Sequence, residues 1–114
     1  MKTLLILNDP PYGTERSYNG LRLAKALATE NATVIVFLLA DAVICAKHGQ
    51  KVPQGFYNTE LMVKSVIRKG EVLLCGTCMD ARGLTDGEVV GGAKRSTMKE
   101  LAGHTLTAAR VLVF

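Results

Sequence analysis

Tryptophan is absent from this 114-residue chain, and aromatic side chains of any kind make up only 5% of it. A chain so poor in rings must build its interior from Leu, Val, Ile and Ala. Cysteine is scarce, at three residues, and the number is odd. No apolar stretch approaches the roughly 18–20 residues that a membrane-spanning helix needs, so no membrane partner is expected. No secretory leader is read either, because Asn8-Asp9-Pro10-Pro11 stops the apolar run that follows Met1-Lys2-Thr3 at once. The expected setting is cytoplasmic, where thiols stay reduced and a close Cys pair points to redox, metal or sulfur chemistry rather than to a structural disulfide. Basic charge is in modest excess, with a net charge of +4 and a pI of about 9.1, but it never gathers into a run of four or more. A phosphate-tracking surface needs clustered charge, so no nucleic-acid partner is expected. Phosphate loops are lacking too. Gly76, Gly83, Gly87, Gly91 and Gly92 fall into neither Gly-x-x-x-x-Gly-Lys-Ser/Thr nor Gly-x-Gly-x-x-Gly spacing, and no nucleotide cofactor is inferred.

The chain does have short apolar runs in alternation with amphipathic stretches. Thr3-Leu4-Leu5-Ile6-Leu7 and Thr33-Val34-Ile35-Val36-Phe37-Leu38-Leu39 are continuous apolar runs bounded by turn residues. They read as strands buried on both faces, as in a parallel sheet. Glu71-Val72-Leu73-Leu74-Cys75 and Arg110-Val111-Leu112-Val113-Phe114 read as two more. Between them, Ser17 or Thr14 can cap a helix carrying Leu21, Ala24, Leu27 and Ala28 on one face. A short helix is expected over 40–47, ended at Gly49, and Asn58 is placed to cap a helix with Leu61, Met62, Ser65 and Val66 turned inward, closed by Gly70. Thr97 and Glu100 match the capping-box spacing. The stretch from Gly76 to Gly92 is rich in Gly and polar residues and is assigned no element. Strands that alternate with helices imply a largely parallel sheet covered on both faces.

In open parallel sheets, ligands gather at the carboxyl ends of the strands. Three segments are expected there: Asn8 to Gly13, Asp41 with its neighbours, and Cys75 to Gly83. The sharpest feature is Cys75-x-x-Cys78 at a strand end. A thiol there meets backbone N–H groups, which favour thiolate over thiol, and Arg82 can add a positive field. A thiolate attacks sulfur and can hold a persulfide, while a second thiol nearby can resolve it or form a disulfide. Spacing alone leaves other readings open. The pair can be half of a zinc site, although Cys45, His48 and His104 lack convincing ligand spacing and no metal is expected. It can be a dithiol redox centre, or Cys75 can be a buried core residue. Asp41 reads equally as a ligand-facing carboxylate and as a helix N-cap. Cys45 reads as core.

Several blocks carry a family likeness: Asn8-Asp9-Pro10-Pro11-Tyr12-Gly13-Thr14-Glu15, Gly20-Leu21-Arg22-Leu23-Ala24, Phe37-Leu38-Leu39-Ala40-Asp41-Ala42-Val43, Gly49-Gln50-Lys51, Leu74-Cys75-Gly76-Thr77-Cys78-Met79-Asp80-Ala81-Arg82-Gly83, and Val111-Leu112-Val113-Phe114. From end to end the chain resembles the DsrE/DsrF-like family and, within it, the YchN-like branch. The Cys-containing segment is the most specific part of the likeness. The resemblance implies a single three-layer α/β domain over residues 1–114, with a mainly parallel sheet of about five strands between helices. It also implies homotrimers or homohexamers, no cofactor, and donor and acceptor proteins for persulfide sulfur. In the family, the sulfur-carrying Cys stands eight residues ahead of a Gly in a Cys-to-Arg-Gly stretch. Counting back from Gly83 gives Cys75 that role. Cys78 belongs to the YchN-like pattern and is expected to be an auxiliary thiol. Asn8, Tyr12, Gly13, Asp41 and Arg82 are expected to shape the pocket, with Arg82 stabilising the thiolate. The implied activity is that of a sulfur carrier or sulfurtransferase-like protein. A non-catalytic oligomeric binding protein and a dithiol redox switch are the alternatives. Val52, Phe56, Val89 and Val90 would lie exposed in a lone domain and mark subunit contacts, or equally their loops fold back on the chain's own core.

Overall fold

Lys2–Leu7 (β1) and Thr33–Leu38 (β2) lie side by side near the middle of a five-stranded parallel sheet. They belong to a computed structural model that describes all of residues 1–114. Both strands are apolar at consecutive positions because both faces of the sheet are covered, which leaves no solvent side for polar residues to occupy. Leu4, Leu5, Leu7, Val36, Phe37 and Leu38 are wholly buried. Phe37 is the only aromatic residue in the buried core, as the composition requires. Glu71–Cys75 (β3) extends the sheet beside β2, and Arg110–Val113 (β5) pairs with the other edge of β1. The strand order is β4-β3-β2-β1-β5.

The outermost strand on the β3 side, Ala93–Ser96 (β4), has no counterpart in the sequence reading. Its register sets Cys75 opposite Ser96. The sequence is Ala-Lys-Arg-Ser, with Lys94 and Arg95 exposed. An edge strand needs only its backbone to pair, and outward charges on it discourage further pairing.

Arg16–Thr29 (α1) turns Gly20, Leu21, Ala24 and Ala28 inward, at the three-to-four-residue spacing of one helix face. The capping expected of Thr14 or Ser17 takes a different form. Glu15 holds the N-cap position without a side-chain bond, the Thr14 hydroxyl accepts from the Arg16 N–H, and Ser17 donates to the Asp9 carbonyl. Thr59–Ile67 (α2) is capped by the Asn58 side chain, which accepts from the Leu61 N–H. Met98–Thr107 (α4) is capped by Thr97. Glu100 does not close the reciprocal half of that box but bonds the Ser96 hydroxyl instead. The helix expected over 40–47 is a 3₁₀ segment, Ala40–Ala46. The unassigned stretch after β3 contains Gly76–Ala81 (α3) and a 3₁₀ turn at Asp86–Glu88.

The first three crossovers step the sheet in one direction, and the last returns past β1 to β5. Crossovers of one hand then place α4 on the face opposite α1 and α2, which gives three layers. No helix is long and apolar enough to cross a membrane. The apolar residues expected on the surface divide. Phe56 is 71% exposed, Val52 and Val89 are half-buried, and Val90 is buried. The Val90 N–H donates to the Ala46 carbonyl and Lys47 bridges Val89, so this loop folds back on its own core.

Candidate functional site: a thiol pair at the end of β3

Cys75 is both the last residue of β3 and the N-cap of α3. An N-cap usually offers a side-chain oxygen to a free N–H of the first turn. Here sulfur takes that place, and Cys75 Sγ accepts from the Cys78 N–H at 3.3 Å. The Thr77 hydroxyl lies 3.2 Å from the same sulfur. Met79 is fully buried and anchors the helix to the core. Gly83, at φ +65°, takes the left-handed position that ends the helix, with the Leu84 N–H donating back to the Met79 carbonyl at 2.9 Å.

Gly76 lets β4 approach closely. A Cβ there would stand 2.8 Å from Arg95 Nη1 and 3.1 Å from the Ser96 carbonyl. Arg95 spans this corner, donating to the Gly76 carbonyl, to Asp80 and to Asp86 at 3.0 Å each. The result is a cleft of about 360 Å³ between the start of α3, the end of β4 and the start of α4, into which Cys75, Thr77, Arg95, Ser96, Thr97 and Met98 face. Cys75 itself is only 5% exposed, so its sulfur is recessed at the base of this cleft.

Cys78 stands beside Cys75 and meets a second set of groups. Its sulfur accepts from the Ala40 N–H at 3.2 Å. Ala40 has φ +50°, a left-handed conformation that costs a non-glycine residue about 1–2 kcal/mol. That strain sits at the residue whose N–H meets the sulfur. Asp41 and Arg82 pair at 2.8 Å beside it, and Arg82 Nη1 donates to the Cys78 carbonyl at 3.1 Å.

The two thiols have opposite acidities. Burial works against a charge on Cys75, but hydrogen bonds from the Cys78 and Thr77 side chains and backbone N–H groups outweigh it, and the thiol is more acidic than usual. Burial raises the Cys78 pKa, and the neighbouring Cys75 sulfur raises it further, against the opposing pull of the Ala40 N–H and Arg82. The positive field of Arg82 acts at Cys78. The two sulfurs influence one another directly, so they titrate as a pair. We expect the alkylation rate of Cys75 by iodoacetamide to reach half its maximum below pH 9.0, the ordinary thiol value. A half-point at or above that value in a pH series would contradict this geometry.

Cys45 is a different kind of thiol. It is fully buried, and burial pushes its pKa up to about 12. Since the unfolded thiol ionises near 9.0 and the folded one does not, its contribution to stability is complete below pH 9 and is lost as pH rises toward 12. The expected slope is about 1.4 kcal/mol per pH unit in that window. Urea unfolding at stepped alkaline pH checks it, and Cys45→Ala should flatten the curve.

Of the residues expected to shape a pocket, Asp41 and Arg82 stand beside the thiol pair. Asn8, Tyr12 and Gly13 follow β1 on the same carboxyl rim, but their bonds lie elsewhere. The Asn8 side chain fastens the Phe114 carbonyl at 3.1 Å, and Gly13 packs on Pro10. The Tyr12 hydroxyl donates to the Gln50 side chain and accepts from the Thr59 N–H, while its ring stacks on Tyr57. Sequence reasoning gave no site role to Thr77, Ala40, Arg95, Ser96 or Thr97. Only Thr77 carried a signal, since it lies between the two cysteines. The others arrive through tertiary contact. Nowhere do three or more His, Cys, Asp or Glu side chains gather as metal ligands would.

A model of the DsrE/DsrF-like family matches residues 1–114. The protein YchN of Escherichia coli is 39% identical over 116 residues, covering 99% of this chain and 98% of that one. An uncharacterised protein of Methanocaldococcus jannaschii is 36% identical over 115 residues and covers all of both chains. The crystal structure of the Escherichia coli YchN protein superposes with a TM-score of 0.95 at 38% identity, covering 100% of this chain and 99% of that one. A protein of unknown function from Methanobacterium thermoautotrophicum shares the fold, with a TM-score of 0.77 at 10% identity over 99% of this chain and 97% of that one. On the family match over its whole length and on these relatives, the chain belongs to the DsrE/DsrF-like family, with the YchN protein among its relatives.

Proposed function

We propose that this protein is a sulfur carrier, and that Cys75 takes up persulfide sulfur from a donor and passes it on. The observation that carries the reading is a recessed sulfur at a strand end that is more acidic than a free thiol, holds an N–H donor at 3.3 Å, and opens on a cleft of its own. A thiolate is the species that attacks a sulfane sulfur, and the same N–H groups that favour it also favour the charged persulfide. Membership of a family related to sulfur-relay proteins supports the same chemistry. The test is incubation with inorganic polysulfide, quenching with iodoacetamide and mass spectrometry of the Cys75 peptide. Gain of one sulfur is expected. A protein that never gains one, under conditions that load a known carrier, removes the reading.

The carrier is further proposed to act in the cytoplasm and as a homotrimer or homohexamer. β5 supports assembly, because its outer edge is free, with Val113 66% exposed, and Leu106 on α4 is 86% exposed nearby in sequence. Analytical ultracentrifugation should give three or six times the 12.3 kDa chain mass. Val113→Glu is expected to shift that mass toward the monomer, and an unchanged mass would place the contact elsewhere.

A further inference from the structure

The two sulfurs of the pair interact with one another but have different further surroundings. Cys75 lies at the base of the cleft between β4 and α4, while Cys78 meets the Ala40 N–H on the side of the Asp41–Arg82 pair. A carrier that both loaded and unloaded at Cys75 would have no need of a strained Ala40 aimed at the second sulfur. We infer that sulfur enters at Cys75 through the β4–α4 cleft, hops within the chain to Cys78, and leaves from the Asp41–Arg82 side. This inference rests on the sulfur-carrier reading and adds a direction to it.

The hop is balanced without an oxidant or a reductant. The charged persulfide on Cys75 takes the proton of the Cys78 thiol. The resulting Cys78 thiolate attacks the terminal sulfur. One S–S bond forms to Cys78, the S–S bond to Cys75 breaks, and Cys75 leaves as a thiolate, so one persulfide and one thiol remain. A persulfide's outer sulfur lies about 2.0 Å from the inner one, and the Cys75 and Cys78 thiols are already in hydrogen-bond contact.

Direction follows from the environments already described. Nucleophilicity rises with the pKa of the attacking thiol, and the thiol of lower pKa leaves faster. Cys78 is the less acidic thiol and Cys75 the more acidic one. The departing Cys75 thiolate is received by the N–H of Cys78 and the hydroxyl of Thr77, and the arriving persulfide by the N–H of Ala40. The competing attack on the inner sulfur would give a Cys75–Cys78 disulfide and hydrosulfide. That inner sulfur is the recessed one, already ringed by its hydrogen-bond partners.

The experiment is a pulse of sodium tetrasulfide on the full chain, quenched with iodoacetamide at increasing times. Trypsin releases residues 70–82 as one peptide holding both cysteines, and fragment ions broken between them assign the extra sulfur. In the wild type the label should appear on Cys75 first and on Cys78 later. In Cys78→Ser it should stay on Cys75. In Cys75→Ser, and in Cys75→Ala as a second form, Cys78 should load about tenfold more slowly or worse. Label that remains on Cys75 in the wild type overturns the hop and leaves the carrier reading standing. So does Cys78 loading at full rate without Cys75, or a disulfide formed with release of hydrosulfide. Absence of label on either sulfur brings down the hop and the carrier reading together.

Discussion

Cys75→Ser is expected to cut persulfide formation on the chain about tenfold or more, what remains being slow loading of Cys78, while leaving the fold in place. Serine keeps the size and the N-cap geometry, since its oxygen can accept from the Cys78 N–H as the sulfur does. It cannot form a persulfide, and it is not ionised near neutral pH. The effect is therefore chemical rather than structural. Unchanged urea unfolding alongside slowed loading, read by mass spectrometry and by transfer to a small-molecule thiol, is the expected pair of results. Substantial loading in this variant would mean that the chemistry runs through another sulfur.

The second large effect is on stability and centres on Gln50, which the sequence presented only within the Gly49-Gln50-Lys51 block of the family likeness. Its side-chain nitrogen donates to the carbonyls of Cys45 and Lys47 at 3.0 and 2.8 Å. Its side-chain oxygen accepts from the hydroxyls of Tyr12 and Thr59, and its backbone N–H is held by Glu60 at 2.9 Å. One amide thus ties together the end of the 3₁₀ segment, the loop after β1 and the start of α2. Thr59 is fully buried, so losing its acceptor strands a polar group away from water. Gln50→Ala is expected to cost about 2–4 kcal/mol, from several bonds of about 1 kcal/mol each plus the penalty for a partner left unsatisfied. The midpoint of urea unfolding measures it, and a loss below about 1 kcal/mol would show that water replaces the amide freely.

The centre of the fold was legible in the sequence because burial on both faces writes itself as an uninterrupted apolar run. β1, β2 and β3 all announced themselves in this way. β4 did not, since Ala93-Lys94-Arg95-Ser96 pairs through its backbone at an edge and turns charge outward. The helical nature of 40–46 was legible, but not its 3₁₀ winding. Cys75 and Cys78 could be found from spacing, because a turn of helix fixes their separation. Their different surroundings could not. Ala40 gives no local hint of its left-handed backbone, and Arg95 reaches Gly76 only because β3 and β4 lie side by side. Tyr12 was misplaced for a related reason. A loop that starts at the right rim can send its side chain across to α2.

The N–H donors at the two sulfurs belong to the main chain, at Cys78 and Ala40. Replacing the side chain at position 40 leaves its amide proton in place, with proline the one standard residue that removes it. Part of the polarity around this pair is thus written into the path of the backbone, beside what the Thr77 hydroxyl, the second thiol and Arg82 add. Neighbouring side chains can drift, and partner surfaces can be recast, while these two main-chain donors stay in place for as long as the turn at 40 and the start of α3 keep their course.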